Sequence, residues 1–235
     1  MIKVGFIGAG DIAYLHGEGV SQAQGAEITG IWNRTSSKAE EKARLFDCKV
    51  FKSPQELIEA VDVVYVLTNM ETHHLYAKQA IEAGKHVLVE KPTAITIAEI
   101  EDLKDSAQKH SVQVAPVDNY IYEPSIQRAK EMIDSGKLGD LVSLYILYNI
   151  HHPEEVAARY PGVIRQILTH HAYCSIYLIG QPEMVSCMKS TVNDGSVSQE
   201  NIAMVTMKMK NLALSHLCAS FASDDHAGDP WTFMI

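Results

Sequence analysis

The chain of 235 residues has a shortage of basic residues, of cysteines and of long apolar runs, and each shortage excludes a class of protein. Its 20 Lys and Arg stand against 29 Asp and Glu, for a formal net charge of −9 without a basic cluster, which argues against a nucleic-acid or anionic-membrane surface. Cys48, Cys174, Cys187 and Cys218 show no C-x-x-C spacing, so neither a disulfide framework nor a zinc site is expected. No apolar segment approaches the length of a membrane-spanning helix.

The residues that are present suit a globular protein with a sizeable core. Hydrophobic residues make up 46% of the chain and charged residues 21%, enough for one large domain or two small ones. The chain opens directly on a strand pattern, without a charged segment followed by an apolar one. We therefore expect a cytoplasmic location.

A glycine-rich motif follows the first predicted strand, residues 2–7, and precedes a predicted helix that ends near Gln22. The motif has the pattern Gly-x-Gly-x-x-Gly/Ala, in which Gly8 permits a tight turn, Gly10 lets the backbone approach a pyrophosphate, and Ala13 lets the helix pack on the strand. The helix N-terminus adds amide groups and a positive dipole end for the anion. This setting favours a dinucleotide-binding turn over a glycine-rich turn that binds nothing. The expected cofactor contacts are Gly8, Ala9, Gly10, Asp11 and Ile12.

The second predicted strand, residues 27–32, ends where dinucleotide-binding folds distinguish between cofactors. An NAD enzyme usually carries Asp or Glu there, whereas this chain has Asn33, which does not repel a 2′-phosphate. Arg34 and Thr35 then offer a guanidinium and a hydroxyl suited to that phosphate. We expect NADP as the preferred cofactor and NAD as the alternative. Thr35 could also simply cap the next helix, with Arg34 solvated.

Strand and helix patterns alternate up to residue 117, which indicates βαβ units and a parallel sheet. The fifth strand, residues 86–89, runs into Glu90-Lys91-Pro92 at the carboxyl edge, where open α/β sheets bind ligands. A Lys at this edge can bind a hydroxyl or keto oxygen and pass a proton if burial lowers its pKa. Taken alone, the three residues fit a solvated charged turn better than a ligand site.

Together, these motifs resemble those of the Gfo/Idh/MocA family of oxidoreductases, which includes glucose-fructose oxidoreductase and inositol dehydrogenase. The resemblance covers nearly the whole chain, and the segments that carry it are the glycine motif, residues 68–73, Glu90-Lys91-Pro92, a helix at 124–135, the turn at 136–140 and a helix that ends at Ile179-Gly180.

The resemblance implies an α/β fold with two domains. Residues 1–118 would form a Rossmann domain with a doubly wound parallel sheet. Residues 119–235 would form an α/β domain for substrate binding and oligomerisation, with an open, mostly antiparallel sheet. The implied activity is pyridine-nucleotide-dependent oxidation or reduction of a sugar, cyclitol or related polyol or keto-sugar, in a homo-oligomer assembled through the C-terminal sheet.

The resemblance also implies roles for individual residues in the first domain. Lys91 matches the catalytic lysine of the family and is expected to contact both the cofactor and the substrate. Glu90 matches a residue near the nicotinamide ribose. Thr68, Asn69 and His73 fall in the segment that lines the cofactor cleft.

A second catalytic cluster is implied on the helix that ends near Gly180. His170 matches the family's catalytic histidine, and Gln166 stands where the family has Asp. Residues four apart share a helix face, so both side chains would point into one cleft. Gln166 can position a hydroxyl but cannot take its proton, whereas an imidazole can relay one near neutral pH. Asn119 and Tyr120 are expected as further substrate contacts. The alternative for His170 is a half-buried histidine with a purely structural role.

No metal site is expected. The pairs His151-His152 and His170-His171 invite that interpretation, but neighbouring side chains on a helix diverge by about 100°. No Cys or carboxylate lies at ligand spacing beside them.

The final segment and the substituted residues leave an alternative function open. The sequence stops at Ile235 within a strand pattern, and members of the family run further, so we expect an incomplete second sheet with an exposed edge. Together with Gln166, and with Ile121 where the family often has Arg, this end favours a non-catalytic dinucleotide-binding sensor or interaction protein. Lys91 and His170 favour the enzyme.

Overall fold

The computed structural model describes residues 1–150, 161–192 and 199–222. The chain divides into two compact units, Met1–Val117 and Asp118–Ile235. The His151-His152 pair and the terminal strand pattern at 229–235 lie outside the described residues.

The first unit is a parallel sheet of six strands in the order β3-β2-β1-β4-β5-β6. The strands are β1 Ile2–Ile7, β2 Ala26–Trp32, β3 Lys49–Val50, β4 Val63–Val66, β5 His86–Val89 and β6 Val114–Pro116. The helices are α1 Ile12–Gln22, α2 Ser36–Phe46, α3 Pro54–Ala60, α4 His73–Glu82 and α5 Ile97–His110. The predicted doubly wound sheet is confirmed, and its strand order reverses between β1 and β4, the switch point at which such sheets bind ligands.

The central strand β1 is fixed by apolar side chains on both of its faces. Phe6 packs in the cluster that contains the small residues Ala13 and Ala39 of α1 and α2. Ile7 packs in the opposite cluster with Leu57 and residues of α4 and α5. Each large side chain that is fully buried contributes about 1.5–3 kcal/mol. This two-sided burial makes β1 an apolar run and holds its carboxyl end in place.

The second unit has a mixed sheet of four strands in the order β7-β10-β9-β8. Its elements are a 3₁₀ turn Asn119–Tyr122, α6 Pro124–Asp134, β7 Ser143–Asn149, a π-helical stretch Ile164–Leu168, α7 Thr169–Ile179, β8 Pro182–Ser190, β9 Ile202–Met209 and β10 Leu214–Ser220. The open, mostly antiparallel sheet is confirmed. One pairing, between β10 and β7, is parallel, and the segment between them, with α7 and two strands, is long enough for the crossover that this requires.

One face of this sheet is buried and one edge is open. Leu144, Ile146 and Tyr148 alternate inward along β7 and join a core with residues of α6 and α7. Strand β8 lies at the edge and is exposed along nearly its whole length, with Met188 79% exposed. The described part of the second sheet therefore has an unpaired edge.

Two further observations bear on the sequence predictions. All four cysteines are free thiols. Within residues 1–150, 161–192 and 199–222, no helix is both long and apolar enough to cross a membrane.

The N-terminus of α5 gives a test of the local structure. The Thr96 hydroxyl accepts a hydrogen bond from the Glu99 amide at 3.2 Å, and the Glu99 carboxylate accepts one from the Thr96 amide at 2.9 Å. Thr96→Ala removes the acceptor, so we expect the free energy of unfolding to fall by about 1 kcal/mol in urea titrations followed by circular dichroism. Thr96→Ser keeps the hydroxyl and should stay within about 0.5 kcal/mol of the wild type. An equal loss in both variants would contradict the capping role.

Candidate active site

The glycine turn at the end of β1 has the shape that the motif requires. Gly8 adopts φ +118°, and a Cβ there would lie 2.5 Å from the Leu67 carbonyl oxygen, so only glycine fits. A Cβ at Gly10 would meet no heavy atom within 4 Å, which leaves that side of the turn open. Ala13 is fully buried where α1 packs on the sheet. The turn can therefore bring backbone amides close to an anion.

Asn33 ties this turn to the segment that follows β2. Its Oδ1 accepts a hydrogen bond from the Ala9 amide at 3.1 Å, and its Nδ2 donates to the Thr35 carbonyl at 3.0 Å. Asn33 therefore has a structural role that the sequence did not reveal, and its role in cofactor choice stays a prediction. An Asp at this position would keep the acceptor for Ala9 and lose the donor to Thr35.

A cleft of about 210 Å³ opens where the carboxyl ends of β1, β2 and β4 meet. It carries two cations, Arg34 and Lys38, and no Asp or Glu is among the described residues that line it. Its lining residues are Gly8, Gly10, Trp32, Asn33, Arg34, Thr35, Lys38, Leu67, Thr68, Asn69, Thr72 and Tyr76. The cleft therefore favours a ligand with negative charge. Of the predicted cofactor contacts, Ala9, Asp11, Ile12, His73, Glu90 and Lys91 are not in this lining.

His73 lies behind the cleft instead of in its wall, which corrects the expectation that it lines the cofactor site. It is 1% exposed, with Nδ1 2.8 Å from the Pro92 carbonyl and Nε2 2.9 Å from the Thr68 carbonyl. Both ring nitrogens thus face backbone oxygens. The ring joins the turn after β4 to the turn after β5 and leaves no nitrogen for a cofactor. Thr68 itself lines the cleft and accepts a hydrogen bond from the Thr72 hydroxyl at 2.8 Å.

Lys91 lies in the turn at the end of β5, directly after a buried carboxylate. Glu90 is 8% exposed; its amide donates to the Val66 carbonyl at 3.0 Å, and its Oε2 accepts from the Lys91 amide at 3.0 Å. Its Oε1 lies 2.9 Å from Nε2 of His16, a residue that the sequence analysis missed. Burial lowers the pKa of Lys91, and the charge of Glu90 opposes that shift. A lysine of this kind exchanges its proton closer to neutral pH than a solvated one.

In the second unit, three predicted site residues meet around Tyr173, which the sequence analysis also missed. The Tyr120 ring stacks on His170 with centroids 4.2 Å apart. The Tyr173 hydroxyl lies 2.6 Å from Nδ1 of His170, accepts from the Tyr120 amide at 3.1 Å and lies 3.4 Å from Oδ1 of Asn119. The spacing from His170, three residues along one helix, is the signal that could have found it.

The Tyr173 hydroxyl can serve His170 in two ways. Burial raises the pKa of Tyr173 far above its ordinary value and that of Tyr120 to about 12, so both phenols keep their protons at neutral pH. If Tyr173 donates to Nδ1 of His170, the imidazole proton is on Nε2. If it donates to Asn119, the imidazole can donate from Nδ1 and also carry a proton on Nε2. The cluster thus accommodates both protonation states of the imidazole.

Gln166 and His170 do not lie on one continuous α-helix, and the shared helix face expected for them stays a prediction. Gln166 belongs to the π-helical stretch, and α7 begins at Thr169. Two residues before the stretch, Gly162 adopts φ +89°, where a Cβ would collide with the Glu200 carboxylate. That carboxylate accepts a hydrogen bond from the Ile164 amide at 3.3 Å. The wider π turn changes the angle that a four-residue spacing produces.

The adjacent histidine has a different environment from His170. His171 is fully buried, and burial lowers its pKa to about 4, so it is neutral at physiological pH. In the described part of the chain, no group of three or more His, Cys, Asp or Glu side chains could hold a metal ion.

Comparison with known proteins identifies the family. Residues 2–117 match the model described as "Oxidoreductase family, NAD-binding Rossmann fold", and residues 126–234 match the "GFO/IDH/MocA C-terminal domain". The chain therefore belongs to the Gfo/Idh/MocA family of oxidoreductases, as its motifs predicted.

The similar proteins include sugar and cyclitol dehydrogenases. The chain is 35% identical over 146 residues to glucose-6-phosphate 3-dehydrogenase of Bacillus subtilis, across 62% of this chain and 42% of that protein. It is 30% identical over 196 residues to a scyllo-inositol 2-dehydrogenase (NADP(+)) of the same organism, across 79% and 54%. The chain thus spans about half the length of these curated relatives.

A solved structure shows the same fold at low identity. An oxidoreductase from Agrobacterium radiobacter, in complex with NAD+, L-tartaric acid and magnesium, matches with a TM-score of 0.91 at 16% identity. The match covers 97% of this chain and 69% of that one.

The Tyr173 cluster can be tested without a substrate. Tyr173→Phe removes the acceptor for the Tyr120 amide and the hydroxyl beside His170, so we expect the free energy of unfolding to fall by about 1–3 kcal/mol. We also expect the imidazole ¹⁵N chemical shifts of His170 to change. Tyr145→Phe is the control, because the Tyr145 ring also stacks on a histidine, His216, but lies exposed on the second sheet. Equal effects of the two variants on unfolding and on His170 would contradict this role.

Proposed function

We propose that the chain is an NAD(P)-dependent oxidoreductase that transfers hydride between the nicotinamide and a carbinol carbon of a sugar, cyclitol or related polyol. In the reverse direction the substrate is the keto-sugar. The observation that carries the proposal is the position of Lys91: it lies in the turn after β5, at the same sheet edge as the glycine turn, and burial lowers its pKa. Family membership and the dehydrogenases among the relatives support the reaction class.

The first unit offers a separate group of residues for each part of the cofactor. The amides of the turn Gly8–Ile12 and the N-terminus of α1 suit the pyrophosphate. Thr68, Asn69 and Glu90 suit the nicotinamide riboside, and the bound nicotinamide supplies or accepts the hydride. Arg34, Thr35 and Lys38 suit a 2′-phosphate, and we assign NADP as the preferred cofactor with NAD as the alternative.

Lys91 is assigned the main proton transfer. In the oxidation direction a neutral Lys91 amine takes the proton of the substrate hydroxyl, and in the reduction direction the ammonium returns it. Oxidation should therefore speed up as pH rises through the lowered pKa of Lys91, and reduction should slow down. His170 assists, supported by Tyr173, while Asn119, Tyr120 and Gln166 position hydroxyl groups.

The second sheet supplies the subunit contact in this proposal. The open edge of β8 exposes Met184 and Met188 on one face of the sheet, an apolar strip that a second copy of the chain would cover. The cytoplasm is the assigned compartment, since four free cysteines suit reducing conditions.

The second candidate is a dinucleotide-binding protein without catalysis. Gln166 favours it, because an amide cannot take a proton where the family has a carboxylate. A panel of keto-sugars mixed with bound NADPH separates the two: the enzyme consumes the cofactor, and the sensor leaves it unchanged.

Cofactor preference is testable by fluorescence titration with NADPH and NADH. Arg34→Ala removes a guanidinium from the cleft and should weaken NADPH binding about 10- to 100-fold, with little effect on NADH. Asn33→Asp keeps the acceptor for Ala9 but adds a negative charge, so it should shift the preference in the same direction. Arg44→Ala is the control, because that side chain bonds to its own helix at the Glu40 carbonyl. Equal weakening of both nucleotides by Arg34→Ala would contradict the phosphate assignment.

The role of Lys91 is testable by Lys91→Met, which keeps an unbranched side chain one atom shorter and removes the amine. NADPH consumption with a reactive keto-sugar should fall about 100-fold or more, while NADPH binding stays within about threefold. Lys85→Met is the matched control, since Lys85 lies before β5 and donates to the Val61 carbonyl. Unchanged consumption in Lys91→Met would remove Lys91 from the mechanism.

A further inference from the structure

His16 links the helix after the glycine turn to the turn that carries Lys91. It lies on α1, 74 positions before Glu90 in the chain, yet its Nε2 is 2.9 Å from Oε1 of Glu90. The two side chains are only 13% and 10% exposed. A contact so distant in sequence and so well shielded from water is a specific feature of the packed sheet.

The hydrogen-bond partners determine which nitrogen of His16 carries a proton. Glu90 Oε2 accepts from the Lys91 amide, and Oε1 faces Nε2 of His16. An ionised carboxylate only accepts hydrogen bonds, so Nε2 must carry a proton. The His16 ring is edge-on to the Tyr65 ring, with centroids 5.6 Å apart.

Among the described residues, two titratable groups face His16 from the strands packed against α1. Glu90 reaches it from the end of β5, and Tyr65 reaches it from β4. Burial raises the pKa of Tyr65, so this phenol is neutral across the physiological range. Glu90 is then the charged group in contact with the ring, and it is also the carboxylate whose charge acts on Lys91.

We propose that His16, on α1, is a positioning residue for Lys91. It holds the Glu90 carboxylate in place beside the Lys91 turn and thereby influences how readily Lys91 gives up its proton. This inference rests on the proposed role of Lys91. With His16 in place, both carboxylate oxygens have N–H donors. Without it, Oε1 is free to turn toward the Lys91 ammonium, and a closer negative charge stabilises the charged form of the lysine.

The proton affinity of Lys91 can be measured without turnover. We would acetylate the whole chain briefly with isotope-labelled acetic anhydride at a series of pH values and quantify the Lys91 peptide by mass spectrometry. The midpoint of the labelling curve reports loss of the ammonium proton. His16→Phe keeps a ring beside Tyr65 but removes the donor, and should raise the midpoint by about 1 pH unit. His16→Gln, whose amide can still donate to Glu90, should stay near the wild type.

A second histidine–carboxylate pair in the same unit gives the matched control. His74 on α4 lies 2.7 Å from Asp102 on α5, and His74→Phe should leave the Lys91 midpoint unchanged. An unchanged midpoint in His16→Phe, or equal shifts in His16→Phe and His74→Phe, would overturn the proposal. Should His16→Phe fail to fold, His16→Asn, whose amide is too short to reach Glu90, must show the same upward shift.

The labelling needs neither cofactor nor substrate, which separates this inference from the proposed function. An upward shift in His16→Phe supports the role of His16 even if the wild type never consumes NADPH. If the wild type is active, the pH profile of oxidation should move upward with the midpoint in His16→Phe and stay in place in His16→Gln. A profile that does not follow the midpoint would overturn the link between His16 and proton transfer.

Discussion

The burial of an ammonium group beside a carboxylate at the end of β5 is the constraint on which the rest of the site depends. Removing water disfavours the charged form of Lys91, and the charge of Glu90 offsets part of that cost. These two opposing effects stay in balance only if the positions of both side chains are fixed. Contacts from β4, α1 and α4 to this turn supply the restraint, through the Val66 carbonyl, His16 and His73 respectively.

The parallel sheet explains why these contacts converge. All carboxyl ends of its strands lie at one edge, so the glycine turn, the cationic cleft and Lys91 become neighbours although the chain reaches them far apart in sequence. Two side chains then fasten the loops at that edge to each other. Asn33 joins the loops after β1 and β2, and His73 joins those after β4 and β5. Packing of the apolar core thus positions the strands, and a few polar side chains then hold the loops of the site in place.

The sequence predicted the parts of this arrangement that follow from periodicity and local motifs. Strand patterns, the glycine turn and the position of Lys91 at a sheet edge all depend on near neighbours in the chain. It could not predict which way a side chain turns once the strands assemble. His73 was expected in the cleft wall because its motif gives the edge but not the side-chain direction. His16 was missed because its partner lies 74 positions away.

In the second unit, too, the sequence could not predict contacts that form only when distant segments pack together. His170, Asn119 and Tyr120 were predicted, whereas the hydroxyl that joins them belongs to Tyr173, which carries no motif of its own. The helix through Gln166 was expected to be regular because nothing local interrupts it. A π-helical stretch begins instead at Ile164, just after Gly162, and both residues lie against the Glu200 carboxylate from a distant segment.

The measurement that tests the central claim most directly is isotope transfer from NADPH deuterated at the reactive nicotinamide C4 position to a panel of keto-sugars and cyclitol ketones. We predict that the wild-type chain places deuterium on a carbon of one product, detected by mass spectrometry, and that Lys91→Met slows this transfer about 100-fold or more while still binding NADPH. A wild-type chain that binds NADPH tightly and transfers no deuterium to any member of the panel, or a Lys91→Met variant that transfers it at the wild-type rate, would contradict the account.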